Sequence, residues 1–119
     1  MESVLGYART FFTGGEYNQE PLRDFHTEVL RFLKTIEDLA LYLESGTSLQ
    51  GITAERLLQG PLSDAMTHAG QLAMLRRLAG VPVPPENFTY ADIQPDNLGP
   101  HQPAPVRPWN RYGEWPDEE

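Results

Sequence analysis

Asp64, His68 and Gln71 are the residues whose types and spacing come nearest to chemistry. At ~100° per residue they fall on one strip of a helix, at i, i+4 and i+7. A carboxylate one turn from an imidazole can hydrogen-bond to it and orient it, and its plainest role is that of a buried pair that directs packing. The rest of this helix is apolar on most sides. Leu62, Ala65, Met66, Ala69, Leu72 and Ala73 fill one broad face, and Leu75, Leu78 and Ala79 extend it. A helix apolar nearly all round belongs inside a bundle. The strip is therefore expected to face a neighbouring helix or a cleft and to find partners there. It marks a candidate site without naming a reaction.

The elements that must position the strip are helical. A first helix is predicted over about residues 1–12, stopped by Thr13-Gly14-Gly15, with Val4, Leu5, Ala8, Phe11 and Phe12 on its apolar side. A second runs from about Glu20 to Glu44, with Pro21 in its first turn and Gly46 just past its end. Along it Leu22, Phe25, Val29, Phe32, Ile36, Leu39 and Leu43 alternate steps of three and four, the mark of an amphipathic bundle helix. Thr53 caps a short piece that Gly60-Pro61 should stop, and the third main helix, about 61–79, carries the polar strip and ends at Gly80. No strand pattern of useful length precedes the tail. Residues 81–119 hold nine of the eleven prolines and cannot sustain a long helix. The expected organisation is a helical domain over residues 1–80 and a Pro-rich irregular tail over 81–119 that wraps the bundle or a partner.

Composition narrows the function. The chain has 119 residues and a formal charge of −8, which repels phosphate backbones and anionic lipid. With no cysteine there is no disulfide framework, no thiolate nucleophile and no zinc–cysteine site. No run reaches the ~18 apolar residues of a membrane span, and the amino terminus lacks a signal-peptide pattern. A cytoplasmic protein that binds no nucleic acid is expected. The only lysine, Lys34, lies in the second helix, far from Gly14-Gly15, so there is no phosphate-binding loop. No serine sits in a Gly-x-Ser-x-Gly elbow.

The segment from Leu58 to Val83, LQGPLSDAMTHAGQLAMLRRLAGVPV, followed by Glu86-Asn87-Phe88, closely resembles the last bundle helix and exit loop of DinB-like (YfiT-like) metalloproteins. The stretch Phe32–Leu43 and the opening Val4-Leu5-Gly6-Tyr7-Ala8-Arg9 resemble the middle of that family, so the similarity runs to about Val106. It implies a four-helix up-down-down-up bundle, here incomplete with three main helices. In active relatives three histidines bind a divalent metal, two of them as His-x-x-x-His in the last helix. Such an ion, with an open coordination position, activates water or a thiol. Here that pair reads Asp64-x-x-x-His68, and aspartate can also ligate zinc, manganese or nickel. The family's further amino-terminal segment, with its first helix and upstream histidine, is missing from this chain. His26, at the edge of the second helix, is the stand-in third ligand, although it matches no family ligand position.

An all-α chain lacking one helix of a four-helix plan leaves a seam of its core uncovered. Each large apolar side chain buried there is worth ~1.5–3 kcal/mol, so the seam rivals a whole domain's stability of ~5–15 kcal/mol. The expectation is a non-catalytic subunit, a homodimer or an accessory piece of a larger complex, that needs no cofactor. Its contact residues are Phe11 and Phe12 on the first helix, Leu30, Leu33 and Leu41 on the second, and Trp109, Tyr112 and Trp115 in the tail. The alternative is a divalent-metal-dependent thiol transferase or hydrolase using Asp64, His68 and His26.

Overall fold

The structure is a computed structural model, and it describes residues 2–84 and 88–104. Four α-helices appear among these residues and no strand: α1 (Glu2–Thr13), α2 (Phe25–Glu44), α3 (Ala54–Leu57) and α4 (Ser63–Leu78). A π-helical segment, Leu58–Leu62, joins α3 to α4, and a single 3-10 turn spans Phe88–Tyr90. The chain divides into two units, residues 1–72 and 73–119. That division falls inside α4, eight residues before the composition break at Gly80.

Helix ends follow local chemistry. Gly14, at φ +73°, donates its N–H to Thr10 O (2.8 Å) and closes α1 in a left-handed cap. The loop after α2 adds to that closure, because Gln50 N–H donates to Phe11 O (2.7 Å) and its side-chain amide reaches Phe12 O. α2 starts five residues later than its apolar pattern suggests. Asp24 is the N-cap, accepting from Thr27 N–H (3.0 Å), and Glu28 accepts from Arg23 N–H (3.0 Å). Those bonds favour a start at Phe25 and leave residues 14–24 as an irregular strap. At the other end Gly46 (φ +66°) and Thr47 donate to Leu43 O and Tyr42 O, a paired closure that α4 repeats when Gly80 (φ +80°) and Val81 bond to Arg77 O and Arg76 O.

Gly60-Pro61 does not stop the third segment. Pro61 has no N–H and its ring would crowd the preceding turn of an α-helix. The backbone widens into π geometry over Leu58–Leu62 and runs on into α4, with Ser63 Oγ donating to Leu58 O (2.7 Å). Pro61 is buried there.

α1 is the central element of the first unit. It packs against α2 on one side and against the π segment on another. Leu5, Ala8 and Phe12, at steps of three and four, meet Leu39 of α2 and Leu57 of α3; Phe11, Phe32, Ile36, Tyr42, Leu62 and Ala65 pack around them. The Phe12 and Tyr42 rings stack with centroids 5.3 Å apart. Thr35 is buried too, its hydroxyl donating to Arg31 O (2.9 Å).

α4 overturns the expectation of a bundle-centre helix. None of its sixteen residues is buried. Leu62 just ahead of it and Ala65 touch the core, whereas Met66, Leu72, Met74, Leu75 and Leu78 are between 51% and 76% exposed. With apolar residues on most sides, one contact line near its start covers only part of what the helix would bury.

Candidate functional site

The polar strip of α4 assembles as its spacing requires. His68 Nε2 lies 3.6 Å from Asp64 Oδ1, and His68 Nδ1–H donates to Gln71 Oε1 (2.9 Å). Asp64 and Gln71 are exposed and His68 is half-buried. His68 and Gln71 therefore bond along their own helix, with Asp64 beside them, and the buried pair expected from the sequence is an accessible one. Asp64 and Thr67 also edge a 730 Å³ groove against Ser3, Val4 and Tyr7 of α1.

As a metal site the strip is partial. Two atoms held ~2.1 Å from a tetrahedral ion lie ~3.4 Å apart, so the 3.6 Å gap between Nε2 and Oδ1 suits one cation. Among the described residues no group of three or more His, Cys, Asp or Glu side chains could complete the set. His26, the sequence-based third ligand, is the second residue of α2, exposed and outside any such group. The donors brought together fit half a tetrahedral coordination sphere.

The contact residues divide. Phe12 is 5% exposed and belongs to the chain's own core, and Phe11 packs against that core with its ring edge-on to Tyr7 (4.9 Å). The side of α1 that carries Phe12 packs on α2 and Leu57, so it is not available to a partner. Leu30 and Leu41 are exposed and Leu33 is half-buried. Trp109, Tyr112 and Trp115 lie outside the described residues.

A second cluster escaped the sequence reading. Arg31 on α2 bonds Glu28 (2.9 Å) on its own helix and Glu2 (3.4 Å) on α1, and lies 3.9 Å from Glu20 in the strap. Tyr17 Oη donates to Glu2 Oε2 (3.4 Å), and its ring lies over Gly6. Burial, then the neighbouring Glu2 carboxylate, pushes the Tyr17 hydroxyl above its ordinary range. Further along, Asp38 accepts from Lys34 and from Arg9 Nη1 (3.2 Å); the Lys34 bond chiefly holds the Asp38 carboxyl low. All of these groups except Glu28 line a polar groove of about 710 Å³ between α1, α2 and the strap. Each cation here is paired, and the cluster reads as a clasp that ties the strap to both helices. Its only sequence signal is Gly6, a breaker inside an otherwise good helix, where a Cβ would stand 2.7 Å from the Tyr17 ring.

No helix among the described residues is long and apolar enough to cross a membrane. Comparison with known proteins finds no matching family model, no matching curated protein and no matching solved structure.

Proposed function

We propose that this chain is a non-catalytic helical subunit on a DinB-like bundle plan, which completes its apolar surface with another polypeptide, either itself or a larger complex. The observation that supports the reading is α4: a sixteen-residue helix with no buried residue and five large apolar side chains open to water. α2 adds to it, with Phe25, Val29, Leu30, Leu41 and Leu43 exposed. Large apolar side chains left open in such number on two helices are the physical mark of an interface. The −8 charge directs the reading toward a protein partner and away from nucleic acid.

The test is hydrodynamic. The purified full chain and its native extract should give a species heavier than 13.4 kDa, and Met66→Gln with Met74→Gln should reduce that species while far-ultraviolet dichroism stays the same. A chain that is monomeric at every concentration and travels alone in its extract overturns the proposal.

The 3.6 Å separation of His68 Nε2 and Asp64 Oδ1 favours a second reading, a divalent-metal-dependent thiol transferase or hydrolase. It requires a third donor from elsewhere. Zinc, nickel or manganese must then raise the melting temperature in a way that His68→Ala abolishes; no rise with any of the three removes this reading.

A further inference from the structure

The groove between α1 and the start of α4 offers hydrogen-bond acceptors that no arginine or lysine among the described residues fills, and we infer that it receives an arginine side chain of a basic partner polypeptide. The inference rests on the subunit reading above and names the chemistry of the partner. Ser63, Asp64 and Thr67 line the groove on the α4 side, and Val4, Tyr7 and Pro61 supply its apolar part. Ser63 Oγ donates to Leu58 O (2.7 Å) and Thr67 Oγ1 donates to Ser63 O (3.1 Å). A hydroxyl has one proton to donate and two lone pairs, so with those bonds in place both oxygens can only accept from a group that enters. Asp64 adds a carboxylate whose only ion partner among the described residues is His68, at 3.6 Å. In the polar groove on the other side of α1, by contrast, Glu2, Glu28 and Asp38 each bond an arginine or a lysine. A lining of acceptors calls for a ligand made of donors.

A guanidinium meets that demand. It has N–H donors on every side, no acceptor, and a planar fork that bonds a carboxylate at two points. Asp64 and the two hydroxyls give it acceptors, and the half-exposed Tyr7 ring, held at 76° to Phe11, is an aromatic surface of the kind on which guanidinium planes stack. The methylene stem of an arginine needs apolar contact, which half-buried Val4 and buried Pro61 provide. A lysine ammonium matches the charge but can neither fork nor stack in this way. Over longer range, the −8 charge of the chain steers a basic partner toward it and keeps an acidic one away. The arginine belongs to a polypeptide because the groove adjoins the face assigned to one. Met66 is 69% exposed and Thr67, the next residue, edges the groove, so a chain that covers Met66 lies within side-chain reach of Asp64.

The first probe is N-acetyl-arginine amide at millimolar concentration, titrated into the full-length chain with EDTA present so that no divalent metal on Asp64 contributes. It should give saturable shifts of the backbone amide resonances of Tyr7, Asp64 and Thr67, and N-acetyl-citrulline amide, its uncharged isostere, should give none. Asp64→Asn should weaken the arginine response about tenfold, the loss of one charge-assisted pair. Thr67→Val, which keeps the shape and removes an acceptor, should weaken it about threefold. Both positions are exposed, and dichroism checks that the fold is kept. The polypeptide source is read on the heavier species of the full chain in native extract. Asp64→Lys should dissociate that species, whereas Glu44→Lys, an equal change of charge at an exposed residue outside the groove, should leave it intact. No saturable shift, citrulline shifts as large as those of arginine, an undiminished response in Asp64→Asn, or a heavier species that survives Asp64→Lys overturns the arginine socket. If the heavier species survives Asp64→Lys and still depends on Met66 and Met74, the subunit proposal stands and only the socket falls. A chain that travels alone in its extract removes both.

Discussion

Gly14 and Gly46 sit at the same left-handed turn of two helices, with φ +73° and +66°, yet their surroundings differ. A Cβ at Gly46 meets open space, whereas one at Gly14 would stand 2.6 Å from Gln50 Oε1. Left-handed backbone costs an alanine ~1–2 kcal/mol, so Gly46→Ala should lose about that much in urea unfolding. Gly14→Ala should lose more, and Gln50→Ala beside it should bring the two costs together. Gly6 gives a different test. In mid-helix, alanine normally gains ~0.5–1 kcal/mol over glycine, but here the methyl would displace the Tyr17 ring. Gly6→Ala should therefore destabilise the wild-type chain and stabilise a Tyr17→Ala chain, a reversal of sign that a double-mutant cycle reads directly. Equal effects in both backgrounds would mean that the strap does not rest on α1. None of this was visible as spacing, because Tyr17 and Gln50 reach their glycines through loops whose course no periodicity encodes.

At the level of elements, the parts governed by adjacent residues were readable and those set by tertiary contact were not. The stop of α1 at Gly14, the ends of α2 and α4 at Gly46 and Gly80, and the Thr53 cap, which accepts from Arg56 N–H (3.2 Å), all came from local rules. The start of α2 was misplaced because Pro21 and Asp24 are both acceptable openers, and the Glu28 bond to Arg23 N–H decided between them. The π segment was unforeseen because a proline can be absorbed by widening one turn. The α2 entry makes a pH prediction. The Asp24 carboxyl is held low chiefly by the Thr27 hydroxyl, that of Glu28 by the Arg23 backbone N–H, and that of Asp38 by Lys34. A carboxyl with a depressed folded pKa contributes stability above its unfolded value and loses it as pH falls through the folded one. The melting temperature should accordingly hold steady above the ordinary values of 3.8 and 4.5 and drop below them. The triple variant Asp24→Asn/Glu28→Gln/Asp38→Asn should start lower at neutral pH and show a flatter acid limb. A wild-type acid limb no steeper than the variant's would show that these bonds do not form.

For the whole molecule, the decisive contrast lies between the few side chains the described residues bury and the many apolar ones they leave open. The sequence located the buried side of α1, where Leu5, Ala8 and Phe12 recur at steps of three and four. On α2 it set Thr35 on the polar side, and Thr35 is buried while Phe25, Val29 and Leu43 are exposed. Periodicity reports only which side of a helix avoids water. It cannot report whether the covering surface belongs to the same chain, and so α4 was assigned to a bundle interior it does not occupy. The two classes of apolar residue should respond oppositely to mutation. Phe12 is 5% exposed and stacked on Tyr42, so Phe12→Ala should cost ~3–5 kcal/mol by leaving a cavity. Met66→Gln, Leu72→Gln and Leu78→Gln, at more than half exposure, should each change the stability of the isolated monomer by less than ~0.5 kcal/mol. Measured where the chain is assembled, the same three changes should become costly, because stability then includes the free energy of association and varies with protein concentration. Unfolding curves of wild type and the triple variant at two concentrations a hundredfold apart separate the cases. A melting temperature that rises with concentration for wild type and stays level for the variant is the expected result. A wild-type melting temperature independent of concentration, with no heavier species in extract, would mean that the exposed face of α4 is not completed by another chain.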